Sequence, residues 1–215
     1  MFKLAVIIPS KNELVTLKKI VKQLKKKRIF FIVIDDCSTD QTNEYLKKNK
    51  FKFIRNNKNI GYTKSILKGI NFIRKKNFDY FLTMDADGEH NVNDINKFIK
   101  EIKKQPELDI IIADRLFKNR ISEKILSFFS FLIFHIKDPL SGFKLYKIKT
   151  INKHFLNINQ NNFLVDIIFH LQKKNYLISN IEIKNKKIFN RKSRIGNNLI
   201  INIKIFLYLR FLFYK

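Results

Sequence analysis

Five short apolar runs, residues 4–8, 29–35, 51–55, 79–84 and 109–113, are separated by segments 13–27, 40–49, 62–76 and 92–104, which carry apolar residues at helical spacing and lysines elsewhere. This alternation constrains the fold more tightly than any other feature of the chain. Runs apolar over most of their length suit strands buried on both faces. Strands alternating with helices predict an α/β architecture, a mostly parallel sheet with helices on both sides. Ser10-Lys11-Asn12-Glu13 has capping-box spacing for the first helix, and Asn91 through Asp94 offers a second polar helix entry. The remainder is less regular: a phenylalanine-dense helical segment at 121–136, a short strand at 143–147, a helix at 163–173, a strand at 177–183 and an apolar amphipathic helix from Leu199. With 215 residues, 45% of them hydrophobic, and no linker-like stretch, the chain is expected to form one domain over residues 1–198, followed by the helix at 199–215.

Lys and Arg number 44 against 18 Asp and Glu, a net charge of +26. Such an excess raises nucleic acid or an anionic membrane as a partner. The lysines are spread through every segment, so charge alone argues weakly for a nucleic-acid-binding domain, and no nucleic-acid partner is expected. The single cysteine, Cys37, allows no internal disulfide and fits a reducing compartment. His90, His135, His154 and His170 lack zinc-ligand spacing. The apolar run at 4–8 stops at Pro9-Ser10-Lys11, too early for a secretory signal. Residues 199–214 would span only about 24 Å as a helix, short of the roughly 30 Å hydrocarbon core, and contain Asn202, Lys204 and Arg210. A bilayer crossing is not expected.

In an open parallel sheet, ligands bind beyond the carboxyl ends of the strands. The polar residues that follow the first, second, fourth and fifth runs would therefore share one edge. Asp85-x-Asp87, with Glu89 two positions on, sets three carboxylates on a tight turn, hard oxygen ligands suited to Mg²⁺ or Mn²⁺ holding a diphosphate. A polar turn with a helix cap is the competing reading. The position at the end of a buried strand, on the edge that also receives Asp35, Asp36 and Arg115, favours the metal. No G-x-G-x-x-G or G-x-x-x-x-G-K-[ST] occurs, so phosphate falls to metal and side chains.

Five ordered segments carry a family resemblance: Val6-Ile7-Ile8-Pro9-Ser10-Lys11-Asn12-Glu13, Val33-Ile34-Asp35-Asp36-Cys37-Ser38-Thr39-Asp40-Gln41-Thr42, Asn59-Ile60-Gly61, Met84-Asp85-Ala86-Asp87-Gly88-Glu89-His90 and Asp138-Pro139-Leu140-Ser141-Gly142-Phe143. In order and spacing they resemble family 2 glycosyltransferases of the Rossmann-like GT-A fold, and within them the dolichyl- or polyprenyl-phosphate sugar synthases. The resemblance implies that Pro9, Asn12, Glu13, Asp35, Asp36 and Asp85 contact the nucleotide sugar. It implies further that Asp85, Asp87 and Glu89 serve the metal and that Arg115 meets the phosphates. Cys37 stands where the family often has Gly. Arg191-Lys192-Ser193-Arg194 matches a later phosphate-binding motif only loosely, with a solvated basic loop as its alternative, so Ser193 and Arg194, like Ser141, enter as acceptor or phosphate contacts.

The resemblance implies an inverting transfer from a nucleotide sugar to a polyprenyl phosphate. A divalent ion on Asp87, with Arg115, would stabilise charge developing on the departing diphosphate. A lipid phosphate is already anionic and needs no strong base; a hydroxyl acceptor, the runner-up, would, and Asp138 is the candidate. In segment 121–136, Glu123, Ser127 and Ser130 form one polar stripe among Ile125, Leu126, Phe128, Phe129, Phe131, Leu132 and Ile133. Together with the terminal helix, this predicts helices lying in a membrane interface, cations toward anionic headgroups, on the cytoplasmic face. Core packing is the alternative.

Overall fold

The computed structural model describes residues 2–118, 120–157 and 163–186. Along the chain run β1 (Leu4–Ser10), α1 (Leu14–Lys26), β2 (Phe30–Asp35), α2 (Thr42–Lys48), β3 (Phe53–Arg55), α3 (Tyr62–Arg74), β4 (Tyr80–Thr83), α4 (Ile95–Lys104), β5 (Ile110–Arg115), α5 (Ile121–Phe134), β6 (Lys144–Lys147), α6 (Ile148–His154), α7 (Phe163–Lys173) and β7 (Ile178–Ile183). The alternating pattern of the first half is realised within a few residues at each boundary. Only α6, short and rich in lysine, has no counterpart in the sequence expectation. Ser193, Arg194 and the helix expected at 199–215 lie outside the described residues.

The strands form one sheet in the order β3-β2-β1-β4-β6-β5-β7. Six run parallel, and β6 alone runs antiparallel, between β4 and β5. The carboxyl ends of β1, β2, β4 and β5 therefore meet the amino end of β6 at one edge. Pro9 ends a central strand without loss because β4 pairs with β1 only up to Ile7↔Thr83, leaving Pro9 beyond the last rung on that side.

Alternate residues of each strand feed two cores. Ile7, Ile34, Phe81, Ile112 and Tyr146 pack with Ile70 of α3, Leu126 of α5, Ile151 of α6 and Ile167 of α7. Val6, Ile8, Val33, Leu82 and Leu145 pack with Leu17 and Val21 of α1, Leu46 of α2 and Phe98 of α4. Within α3, Gly69 lets the helix settle directly on Ile7, whose side chain a Cβ would strike. Gly69→Ala is expected to lose about 1–3 kcal/mol to overpacking, more than the roughly 1 kcal/mol gained in helix propensity. Denaturant unfolding checks this; a variant more stable than wild type contradicts the tight approach.

The first helix departs from the expected capping box. Ser10 is the last residue of β1, in register with Asp35, and the entry to α1 at Glu13 makes no side-chain cap. The Asp40 carboxylate, carried by the loop after β2, accepts from Leu14 N at 3.2 Å instead. Asn91 does act as expected, its side-chain oxygen accepting from Asn93 N at 2.9 Å, but the first turn, Val92–Asp94, is a 3₁₀ turn before α4.

Helix α5 has reversed polarity. Ser122, Glu123, Ser127 and Ser130 are buried with Leu126, while Ile121 is 78% exposed, Phe128 59% and Leu132 58%. An ordinary surface helix does the opposite. No helix among the described residues is long and apolar enough to cross a membrane.

Candidate active site

The loops after β1 and β2 clasp one another. Asn12, left-handed at φ 54°, accepts from Thr39 N through Oδ1 at 2.7 Å, and its backbone N donates to Ser38 Oγ at 3.0 Å. Asp35 is fully buried; one oxygen accepts from Ser38 N at 3.0 Å and the other lies 3.8 Å from Arg55 Nε. Asp36 is occupied by the loop after β3: it accepts from Ile60 N, Gly61 N and Asn56 Nδ2, each at 2.9 Å. The paired aspartates thus tie together the loops after β1, β2 and β3. Cys37 adopts φ 58°, a left-handed backbone that glycine takes without strain, which accounts for the glycine common at that place in the resembling motif.

Asp85 lies past the end of β4. Its Oδ1 accepts from the Tyr62 hydroxyl at 2.6 Å, and its Oδ2 lies 3.5 Å from His90 Nε2. Burial pushes the Asp85 carboxyl up, but His90, the Tyr62 hydroxyl and the Arg115 charge outweigh it and hold the group below its ordinary value. The His90 ring is buried, stacked 4.8 Å from Phe143, with Nδ1 unpartnered and Nε2 meeting the Asp85 carboxylate only at the long 3.5 Å. Buried polar atoms seldom go unpaired without a ligand to meet. Ligand atoms of Asp85, Glu89 and His90 lie within 4.8 Å of one another, a set whose two carboxylates suit Mn²⁺ or Mg²⁺ and whose imidazole favours a transition ion. Asp87 stands outside that group, its Oδ1 accepting from Glu89 N at 2.9 Å.

Gly142, arriving from the start of β6, abuts this centre: a Cβ there would sit 2.8 Å from Asp85 Cγ. Gly142→Ala should displace the carboxylate and weaken Mn²⁺ binding at this centre by on the order of tenfold, the scale of a modest overpacking clash. Titration with Mn²⁺ checks this; unchanged affinity contradicts it.

Arg115 is held by three carboxylates. Its Nε and Nη2 grip the two oxygens of Asp138 at 2.8 and 3.2 Å, while Glu89 lies 3.5 Å and Glu123 3.6 Å away. Burial lowers its pKa, yet the charges of Asp138, Glu89 and Glu123 more than reverse this and fix the cation. Asp138 is fully buried, with both oxygens committed to Arg115. Ser141, also buried, turns its hydroxyl back to accept from Phe143 N at 3.3 Å. Lys144 is buried behind them and donates to the Pro139 carbonyl at 2.8 Å; burial pushes its ammonium down to about 7 against the pull of Asp138.

Several neighbours escape sequence reasoning. Asn185, just past β7, donates to Glu89 Oε1 at 2.8 Å and the Phe117 carbonyl at 3.0 Å, and nothing in a lysine-rich stretch marks it. Burial raises the Glu89 carboxyl, with Arg115, His90 and Asn185 opposing. Tyr62 follows the Asn59-Ile60-Gly61 signal directly, His90 adjoins Glu89, and Glu123 is announced by the polar stripe with Ser127 and Ser130.

Residues 5–157 match the sequence pattern of glycosyl transferase family 2. The chain belongs to that family. A dolichyl-phosphate beta-glucosyltransferase of Saccharomyces cerevisiae is 28% identical over 204 residues, covering 76% of this chain and 60% of its own. A UDP-N-acetylglucosamine–dolichyl-phosphate N-acetylglucosaminyltransferase of Methanococcus voltae is 27% identical over 235 residues, covering 93% and 92%. Glucosyl-3-phosphoglycerate synthase of Mycobacterium tuberculosis, solved with Mn²⁺, uridine-diphosphate and phosphoglyceric acid, superposes with a TM-score of 0.75 at 12% identity over 100% of this chain and 80% of that one. The fold of this family 2 member is therefore GT-A, as its motif order implies.

Proposed function

We propose that this glycosyltransferase moves a sugar from a nucleotide-sugar donor to a polyprenyl phosphate, with Mg²⁺ or Mn²⁺, while attached peripherally to the cytoplasmic face of a membrane. The observation that carries the acceptor class is the state of Asp138. A hydroxyl acceptor needs a base to take its proton, and the carboxylate expected to do so is buried and gripped at both oxygens by Arg115. A phosphate monoester, ionised near neutral pH, needs only positioning. Two dolichyl-phosphate transferases among the relatives support the same acceptor class.

In this reading Asp85, Glu89 and His90 would hold the metal, with Asp87 beside them on the same turn. The ion, when bound, would stabilise negative charge on the departing diphosphate. The protein supplies the rest. Asp35 and Asp36 brace the loops around the nucleoside, and Pro9, Asn12 and Glu13 line its approach. Arg115 presents a fixed cation on the acceptor side, close to charge that grows in the transition state. The outward apolar face of α5, beside Lys118, Lys124 and Lys137, suits the boundary of an anionic leaflet.

The test pairs UDP-glucose, UDP-N-acetylglucosamine and GDP-mannose, each with Mn²⁺ or Mg²⁺, against a short polyprenyl phosphate in vesicles, with product read by mass spectrometry. Glycosylated lipid phosphate is the expected result. Donor turnover with a saccharide product and no lipid product would overturn the acceptor.

A further inference from the structure

Glu123 presents a problem that the donor chemistry leaves unused. It is a carboxylate with 7% of its side chain exposed, on a helix whose apolar residues face outward. Buried acids persist when paired, and Glu123 has two cations: Arg120 Nη1 at 2.8 Å from its own helix and Arg115 Nη2 at 3.6 Å from the end of β5. The contact to Arg120 is local. The contact to Arg115 crosses from α5 into the site and reaches the cation that Asp138 and Glu89 also hold.

We infer that Glu123 is a positioning residue that couples the seating of α5 to Arg115, so that docking of the helix on an anionic membrane sets the acceptor side of the site. The inference rests on the acceptor and membrane reading above and specifies how the surface communicates with the site.

Three observations support it. First, reversed polarity makes α5 responsive to a surface: Phe128, Phe131 and Leu132 leave water only when something apolar covers them, and the opposite stripe, Ser122, Glu123, Ser127 and Ser130, is the face buried against the domain. Second, among the three carboxylates around Arg115, the one on α5 makes the longest contact, 3.6 Å, and its Oε2 accepts no hydrogen bond. A small shift of the helix therefore alters this long contact, whereas the two-point grip of Asp138 persists. Third, α5 lies between Arg115 and the Asp138–Ser141 turn in the chain, and Arg115 N approaches Asp138 Oδ2 at 3.3 Å. Both ends of the excursion that carries α5 thus converge on the same guanidinium.

The experiment compares wild type, Glu123→Gln and Glu123→Asp. Hydrogen exchange is measured with and without vesicles of phosphatidylglycerol and phosphatidylcholine that contain no acceptor. In wild type, vesicles are expected to slow exchange in α5 and also at residues 113–118 and 138–142. In Glu123→Gln, α5 should still slow, but the response at 113–118 and 138–142 should vanish, and Glu123→Asp should restore part of it. In transfer assays, Glu123→Gln is expected to raise KM for vesicle-borne polyprenyl phosphate several-fold, and more than it raises KM for the donor. A wild-type α5 that ignores vesicles overturns the inference. So does a Glu123→Gln response identical to wild type, or an equal loss toward donor and acceptor with early melting, which would mark a purely structural role. Should wild type transfer nothing to lipid phosphate, the acceptor reading fails while the exchange data still decide the coupling.

Discussion

Asp85→Asn and Asp87→Asn are each expected to lower sugar transfer by about 10²–10³-fold, the scale on which removal of a preorganised charge at a developing anion is felt, with the fold retained. Either substitution keeps side-chain size and removes one negative charge from the turn after β4. At Asp85 the loss is direct, because its carboxylate is the point on which Tyr62, His90 and the Gly142 approach converge. At Asp87 the hydrogen bond from Glu89 N can be kept by an amide oxygen. A large effect there with an unchanged melt would report on bound metal and diphosphate. Activity titrated with Mn²⁺, alongside a thermal melt, provides the measurement. Wild-type rates in chelator for either variant would refute metal-assisted transfer at this turn.

Asp138→Asn separates two acceptor chemistries and tests a buried pair at once. Removing the charge leaves Arg115 facing only Glu89 and Glu123 at ion-pair distance. Breaking a buried pair typically costs about 3–5 kcal/mol, and the two remaining carboxylates should bring this toward the lower end. For a chain of this size, 3 kcal/mol corresponds to a melting point lower by roughly 6–12 °C. Measured well below that melt, transfer to a phosphate acceptor should fall only modestly. A general base would instead reveal itself by a loss of 10²-fold or more. A stable variant with a 10²-fold lower rate would assign Asp138 to proton transfer and displace the acceptor proposed above.

The alternation of runs and helical segments revealed the sheet because buried parallel strands are apolar on both faces, a pattern independent of tertiary detail. It pointed to the candidate edge too, since the carboxyl ends of the six parallel strands face the same way and only β6 opposes them. What stayed hidden was long-range pairing. Asp36 is legible in sequence as a site residue, but the amides 24 and 25 positions later that bind its oxygens are not. Asp138 and Arg115 are both legible as site residues, but only the fold makes them partners. Ser10 and Glu13 have the right spacing for a cap, and strand extension through Ser10 overrode it. Helix α5 shows both sides of this: the stripe of Glu123, Ser127 and Ser130 was visible, while its inward direction depends on Arg115 waiting beneath it.

Antiparallel β6 has a further consequence. Residues 116–143 depart from the end of β5 and return beside it, with Ala113 N donating to the Phe143 carbonyl at 3.0 Å and Ile112 paired with Lys144. The excursion is thus a cassette whose two ends are already neighbours in the sheet. Changing its length or content alters closure entropy only slowly and leaves the five strands β3, β2, β1, β4 and β5 intact. A graft bounded by Leu116 and Lys137 would replace α5 while leaving Arg115, Asp138 and Gly142 in place around Asp85.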